Sequence, residues 1–215
     1  MTKKTKIFIA VGGTGGHVFP GYNLAKHLEK SNFEVKLITD NRGSQYLKKI
    51  ENLNFISLPA SPVISKNIFS FLLSIITIFC SIFISLFFLI FYRPAIIFGM
   101  GGYASFPVCF AGIILKIPFI IYENNLQMGK VNRLLTPFAK KIFVSYKDLE
   151  GISKKYKNKI FEIGNLVREE IINEYDINKE TKNFDHLKIL VLGGSQAAKI
   201  FADQLPQVFA QLKNS

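Results

Sequence analysis

The sequence predicts an α/β fold: a Rossmann-like parallel sheet with helices on both faces, followed by an incomplete second Rossmann-like unit. Three observations carry this. Short runs rich in Ile, Val and Phe alternate with helix-like segments. The runs lack strict apolar–polar alternation, as expected of strands buried on both faces. Glycine pairs follow several runs, and in an open parallel sheet ligands bind at the carboxyl ends of strands.

Taken in order, KIFIAV (6–11) precedes HVFPGYNLAKHLEK, and FEVKLITD (33–40) precedes RGSQYLKKIEN. NFISLPA (54–60) leads into a long apolar stretch, AIIFGM (95–100) precedes SFPVCFAGIILK, and PFIIYEN (118–124) precedes GKVNRLLTPFAKK. KIFVSY (141–146) and KIFEIG (159–164) complete the series. The segment 168–187 is polar and weakly patterned and reads as a linker with some helix. KILVLGGSQAAKIFADQLPQVFAQL then restarts the strand, glycine pair, helix order. The expected division is a first domain over 1–165, a linker over 166–186, and over 187–215 the truncated start of a second domain.

Charge is lopsided, with 27 Lys and Arg against 15 Asp and Glu, net +12. Nucleic acid, an anionic membrane face or a phosphorylated substrate would each suit that balance, as would a plain excess of solvated lysine. The lysines are scattered and no recognition motif occurs, so nucleic acid is not an expected partner. Cys80 and Cys109 form neither a disulfide framework nor metal-ligand spacing. The basic N-terminus with its short apolar run reads as a first strand rather than a signal peptide.

Three glycine loops stand at strand ends: Gly12 to Gly21, Gly99 to Pro107 and Gly193 to Ala198. Glycine lets backbone amides approach a phosphate, and a following helix N-terminus adds positive partial charge. None of the loops fits G-x-G-x-x-G or the P-loop, so a nicotinamide or flavin dinucleotide is disfavoured. One such loop is equally well a tight turn; three at corresponding strand ends point to a phosphate-bearing ligand. His17 stands at the exit of the first loop, placed either for acid–base work or for a structural contact. His27 and His186 read as surface residues. Glu123, Asn124 and Asn125 cluster at another strand end, aimed into the same crevice, and Arg168 follows a seventh run, either phosphate-pairing or solvated.

GGTGGHVFPG, GMGGYAS-P, YENN followed by GKVNRLL, GNLVR and LGGSQAAK together resemble the MurG family of peptidoglycan glycosyltransferases, in glycosyltransferase family 28. The motifs run in family order over essentially the whole chain. The resemblance implies a GT-B fold of two Rossmann-like domains, of which residues 1–165 are the first. It implies transfer of N-acetylglucosamine from UDP-N-acetylglucosamine to undecaprenyl-pyrophosphoryl-MurNAc-pentapeptide (lipid I to lipid II), with inversion and without a cofactor or bound metal. By position, Thr14, Gly15, Gly16, Asn125, Arg168 and Ser195 would contact the donor, and His17 would position or deprotonate the acceptor hydroxyl. Gly101, Gly102, Tyr103 and Glu123 would lie on the acceptor and pyrophosphate side. Tyr122 and Asn124 stand where the family usually shows His and Gln, Leu166 where it shows Pro, and Ala197 where it shows Gly. The family's remaining donor-binding segments are absent, so weak donor binding is expected, and the alternative is a non-catalytic acceptor-binding subunit or inactive fragment needing a separate C-terminal half. A generic nucleotide-binding domain without transferase activity fits the ordered motifs poorly.

Ile68 to Tyr92 contains no charged residue and is long enough to span a bilayer. A crossing would place the first two glycine loops on opposite sides of the membrane, so an in-plane helix, a packed helix or a re-entrant hairpin is expected instead. Ser70, Ser74, Thr77, Ser81 and Ser85 fall along one helical stripe, suited to close docking on the fold. The remaining Phe, Ile and Leu would form an apolar patch, flanked by Lys66 and Arg93, facing an anionic membrane surface. The implied location is peripheral, on the cytoplasmic face of the bacterial inner membrane.

Overall fold

The computed structural model describes residues 4–50, 53–60, 67–177, 189–191 and 198–213. It divides into two compact units, Met1–Glu174 and Tyr175–Ser215. The first holds a seven-stranded sheet whose strands all run parallel, in the order β3-β2-β1-β4-β5-β6-β7. The strands are β1 (Lys6–Ala10), β2 (Glu34–Asp40), β3 (Phe55–Leu58), β4 (Ile96–Gly99), β5 (Phe119–Glu123), β6 (Lys141–Val144) and β7 (Ile160–Glu162). Each corresponds to one of the apolar runs.

The order reverses between β1 and β4, which pair directly, Ile7 with Ile96 through Ala10 with Gly99. Such a reversal is the topological switch point at which open α/β sheets leave a crevice at their carboxyl edge. Alternate side chains of β1 enter two separate cores. Ile7, Ile9 and Val11 face one side, with Val18 and Ala25 of α1 (Gly15–Lys30) and Leu47 of α2 (Asn41–Leu47). Phe8 and Ala10 face the other, with Leu89 of α3 (Ile68–Tyr92), Val108 of α4 (Ser105–Ile114) and Leu135 of α5 (Lys130–Leu135).

The apolar stretch is one unbroken 25-residue helix, α3, which excludes the re-entrant hairpin. Asn67 caps its start by accepting the Ser70 amide, and Arg93 ends it in the left-handed conformation just before Pro94. The serine stripe is the docked face: Ser74, Ser81 and Ser85 are buried, whereas Ser70 lies exposed. Ser74, Ser81 and Ser85 donate back to the carbonyls of Ser70, Thr77 and Ser81, so no hydroxyl among these three is buried without an acceptor. On the opposite side Phe79, Phe83, Phe87 and Phe91 follow one another at every fourth position, and each is more than half exposed. Lys66 lies outside the described residues.

At a rise of about 1.5 Å per residue α3 is roughly 37 Å long, well beyond the length of strands of four to seven residues. Tyr92 leads almost directly into β4, and its ring sits against Phe8, under the ammonium groups of Lys6 and Lys36 at the strand starts. The excess length therefore lies at the N-terminal end, past the carboxyl edge of the sheet. Every residue from Ile68 to Leu73 is accordingly exposed.

After β7 the chain joins α6 (Glu169–Ile177), and the first unit continues past residue 165 to Glu174. Asn23 of α1 donates to the Leu166 carbonyl at 3.1 Å, and Lys30 pairs with Glu169 at 2.6 Å on the surface. In the second unit Ala198–Lys213 forms α7. Residues 189–191, part of the expected strand, adopt no strand structure. Strand structure depends on ladder hydrogen bonds to a neighbour, and residues 189–191 form no ladder with the other described residues.

Candidate active site at the carboxyl edge of the sheet

The first and second glycine loops meet at the switch point. A Cβ on Gly12 would stand 2.6 Å from the Cα of Gly102, and one on Gly102 would stand 2.7 Å from the Cα of Gly12. Gly102 also has φ +77°, a conformation costly to any residue with a side chain. The two backbones touch, so side chains are excluded at both positions. The amides of Gly13, Gly15 and Gly16 have no acceptor among the described residues. They lie at the N-terminal end of α1, a helix of 16 residues, and are free to receive an anion.

His17 lies in the first turn of α1 with its ring against the second loop. A Cβ on Gly101 would be 3.0 Å from its Cε1 and 3.2 Å from its Nδ1. Nδ1 is buried without a hydrogen-bond partner, and Nε2 is the nitrogen left open to the crevice. Burial holds the His17 pKa below its ordinary value of 6.5, opposed in part by the Glu123 carboxylate and the Met100 carbonyl. A neutral imidazole carries a lone pair on one ring nitrogen and a proton on the other, so the lowered pKa keeps an acceptor nitrogen available.

Glu123, at the end of β5, is almost fully buried. One carboxylate oxygen accepts from the Asn125 amide and side chain at 3.2 and 2.8 Å. The other accepts from the Gly129 amide at 2.9 Å and from Asn132 at 3.0 Å. The carboxylate thus organises the loop from Asn124 to Gly129, and its oxygens are occupied by that loop instead of facing the crevice. Asn132, which the sequence reading did not single out, also donates to the Tyr122 carbonyl and lies within reach of Gly101. Its signal in the sequence was only its place on the buried side of α5.

Asn124 ties this loop to the first one. Pro20 interrupts the amide ladder of α1, so the Gly16 carbonyl lacks its helical donor, and the Asn124 side chain donates to it at 2.9 Å. Arg168 rests its guanidinium 5.5 Å from the Phe19 ring centre, and Phe19 in turn borders Gly15. Thr14, Gly15, Gly16, His17, Gly101, Gly102, Tyr103 and Asn125 therefore gather at one edge, with Arg168 beside it. Ser195 and Ala197 lie outside the described residues. A groove of about 400 Å³ between the second half of α1 and residues 165–172 is lined by none of the glycine-loop residues.

A sequence profile of the glycosyltransferase family 28 N-terminal domain matches residues 7–144. The chain is 39% identical over 210 residues to a Rickettsia felis protein named UDP-N-acetylglucosamine–N-acetylmuramyl-(pentapeptide) pyrophosphoryl-undecaprenol N-acetylglucosamine transferase, covering 94% of this chain and 56% of that one. A Rickettsia canadensis protein of the same name is 38% identical, with 97% and 58% covered. The chain thus spans a little over half the length of these relatives. Among solved structures, Acinetobacter baumannii MurG superposes with a TM-score of 0.70 at 24% identity, covering 96% of this chain and 57% of that one, a likeness of fold.

Two of the departures noted in the sequence are coupled. The Tyr122 hydroxyl lies 2.9 Å from that of Ser145, donates to the Gly164 carbonyl at 3.2 Å and accepts the Leu166 amide at 3.3 Å. A proline at 166 has no N–H to offer, so this contact requires a residue other than proline there. Tyr122→Phe is expected to cost about 1–2 kcal/mol by leaving these partners unmatched, lowering Tm by about 2–8 °C. An unchanged melting temperature would show that the hydroxyl does not hold the 164–166 segment.

Proposed function

Because the chain belongs to glycosyltransferase family 28, whose N-terminal domain it carries over residues 7–144, we propose that it serves the transfer of N-acetylglucosamine from UDP-N-acetylglucosamine to undecaprenyl-pyrophosphoryl-MurNAc-pentapeptide. The observation that carries this reading is the crevice in which the two glycine loops touch, with free amides on one side and His17 Nε2 open between them. Amides at a helix N-terminus suit a diphosphate, and a neutral imidazole beside them suits removal of a hydroxyl proton.

In this reaction the muramoyl 4-hydroxyl attacks the anomeric carbon of the donor. The new glycosidic bond forms as the bond to UDP breaks, with inversion, and the hydroxyl proton passes to His17 Nε2. Thr14, Gly15, Gly16, Asn125, Arg168 and Ser195 are proposed for the donor side, and Gly101, Gly102 and Tyr103 for the acceptor diphosphate. Glu123 acts through the loop it organises. The reaction requires the neutral imidazole, and the lowered pKa keeps His17 neutral at a pH where an ordinary histidine is already protonated.

The exposed face of α3 supports a membrane contact. Phe79, Phe83, Phe87 and Phe91 lie along it, Ile114 of α4, Leu134 of α5 and Phe138 in the turn after α5 are also exposed, and Arg93 and Lys116 follow the ends of α3 and α4. Apolar faces of this kind bind interfaces, and adjacent cations favour anionic lipid. The overhanging N-terminal turns of α3 sit at the same edge of the sheet as the glycine loops, which suits an acceptor whose diphosphate lies at the membrane surface. This is a peripheral association on the cytoplasmic face.

Transfer is tested with labelled UDP-N-acetylglucosamine and a lipid I analogue, using the chain alone and the chain mixed with the C-terminal half of a relative. Labelled product is expected in at least one arm, and product in the mixture alone identifies the chain as an acceptor-binding subunit. Absence of product in both contradicts the reading. Where turnover occurs, His17→Ala is expected to lower it by about 10²-fold or more. The acid limb of kcat/KM is expected below pH 6.5, and a limb above that value removes His17 as the base. Replacing Phe83, Phe87 and Phe91 together by Ser is expected to abolish sedimentation with phosphatidylglycerol vesicles. Sedimentation equal to the parent's would move the membrane contact away from α3.

A further inference from the structure

We propose that Arg42 is a diphosphate-binding residue of the switch-point crevice, an assignment that rests on the transferase reading above and adds a cation to it. Arg42 follows β2 and lies in the first turn of α2, remote in sequence from both glycine loops. Its side chain nonetheless reaches the first of them. A Cβ on Gly13 would fall within the guanidinium, 2.8 Å from Cζ. Gly13 is itself at φ +35°, in the turn that presents the loop amides.

What holds Arg42 there is Asp40. Its side chain is 2% exposed; one oxygen accepts the Gly43 amide at 2.7 Å, and the other lies 3.3 Å from Arg42 Nη2. The carboxylate is thus fixed as the cap of α2 and orients the guanidinium by a single long contact. An arginine carries five N–H donors in a planar fork. The remaining donors of Arg42 have no acceptor among the described residues, and its side chain is 54% exposed. A half-exposed fork, tethered at one corner and laid over a glycine whose own amide is free, is suited to grip two phosphate oxygens at once.

The amides of Gly13, Gly15 and Gly16 supply hydrogen bonds and partial charge, whereas Arg42 supplies the full positive charge the loops lack. Both the lipid-linked acceptor and the donor carry a diphosphate, so the chemistry recognised is a diphosphate, and its source is a question for experiment. Tyr46, one turn further along α2, packs its ring edge-on against Phe19 at 5.8 Å. This contact keeps α2, and with it Arg42, beside the first turn of α1.

The test is calorimetric titration of the parent, Arg42→Gln and Arg42→Lys with inorganic pyrophosphate, geranyl diphosphate, geraniol and UDP. Thermal melts serve as the control for folding. Arg42→Gln is expected to weaken pyrophosphate and geranyl diphosphate about tenfold or more at unchanged Tm, with Arg42→Lys intermediate because it keeps the charge and loses the fork. Geraniol binding is expected to be unaffected. A loss confined to geranyl diphosphate and pyrophosphate assigns Arg42 to the acceptor, and an equal loss for UDP assigns it to the donor. Parent-like affinity of Arg42→Gln for every diphosphate overturns the proposal and leaves the transferase reading standing, since that reading is judged by product formation. Absence of diphosphate binding by the parent also overturns it.

Discussion

The contact between the backbones of Gly12 and Gly102 is the constraint on which the carboxyl edge of this sheet depends. Parallel pairing of β1 with β4 brings the two loops to the same height, and the absence of side chains lets them close to van der Waals contact. With the loops closed, Gly101 presses on the His17 ring and seals Nδ1, so that Nε2 faces outward. The amides ahead of α1 then stand beside that nitrogen. Opening the contact by a methyl group would displace both features together.

The loop after β5 is fastened to the same place by groups that leave few polar atoms idle. Pro20 deprives the Gly16 carbonyl of its helical donor, and Asn124 replaces it. Glu123 gathers the amides of Asn125 and Gly129 and the side chain of Asn132 around one buried carboxylate. A buried charge of this kind is tolerable only when its oxygens are matched, and removing any one partner leaves the others uncompensated. The same sheet topology accounts for α3: a helix longer than the strands it crosses must overhang at one end, and the short link from Tyr92 to β4 puts that overhang beside the crevice.

All seven strands were legible in the sequence because both faces of a parallel sheet are buried and each strand is a nearly continuous apolar run. The docked face of α3 was legible from its serine spacing, since small residues mark where a helix approaches closely. Arg42 was not legible. Nothing in TDNRGSQ distinguishes it from a solvated arginine, and only the placement of β2 next to β1 brings its side chain over Gly13. The role of Glu123 was legible as a position and not as a set of contacts, because the partners that occupy it lie as far along as Asn132. Residues 189–191 of the anticipated strand, which carry no strand structure, show the limit of such a reading: apolar composition is a local property, whereas a strand exists only with a neighbour.

The central claim is that the glycine–glycine contact makes the anion crevice. Gly102→Ala tests it most directly, read by pyrophosphate titration together with thermal unfolding. The added methyl meets the Gly12 backbone at a positive φ, and the expected cost is about 2 kcal/mol or more, a fall in Tm of at least about 4–8 °C. Pyrophosphate binding is expected to be lost at temperatures where the variant remains folded. A variant that melts with the parent and binds pyrophosphate equally well would contradict the account.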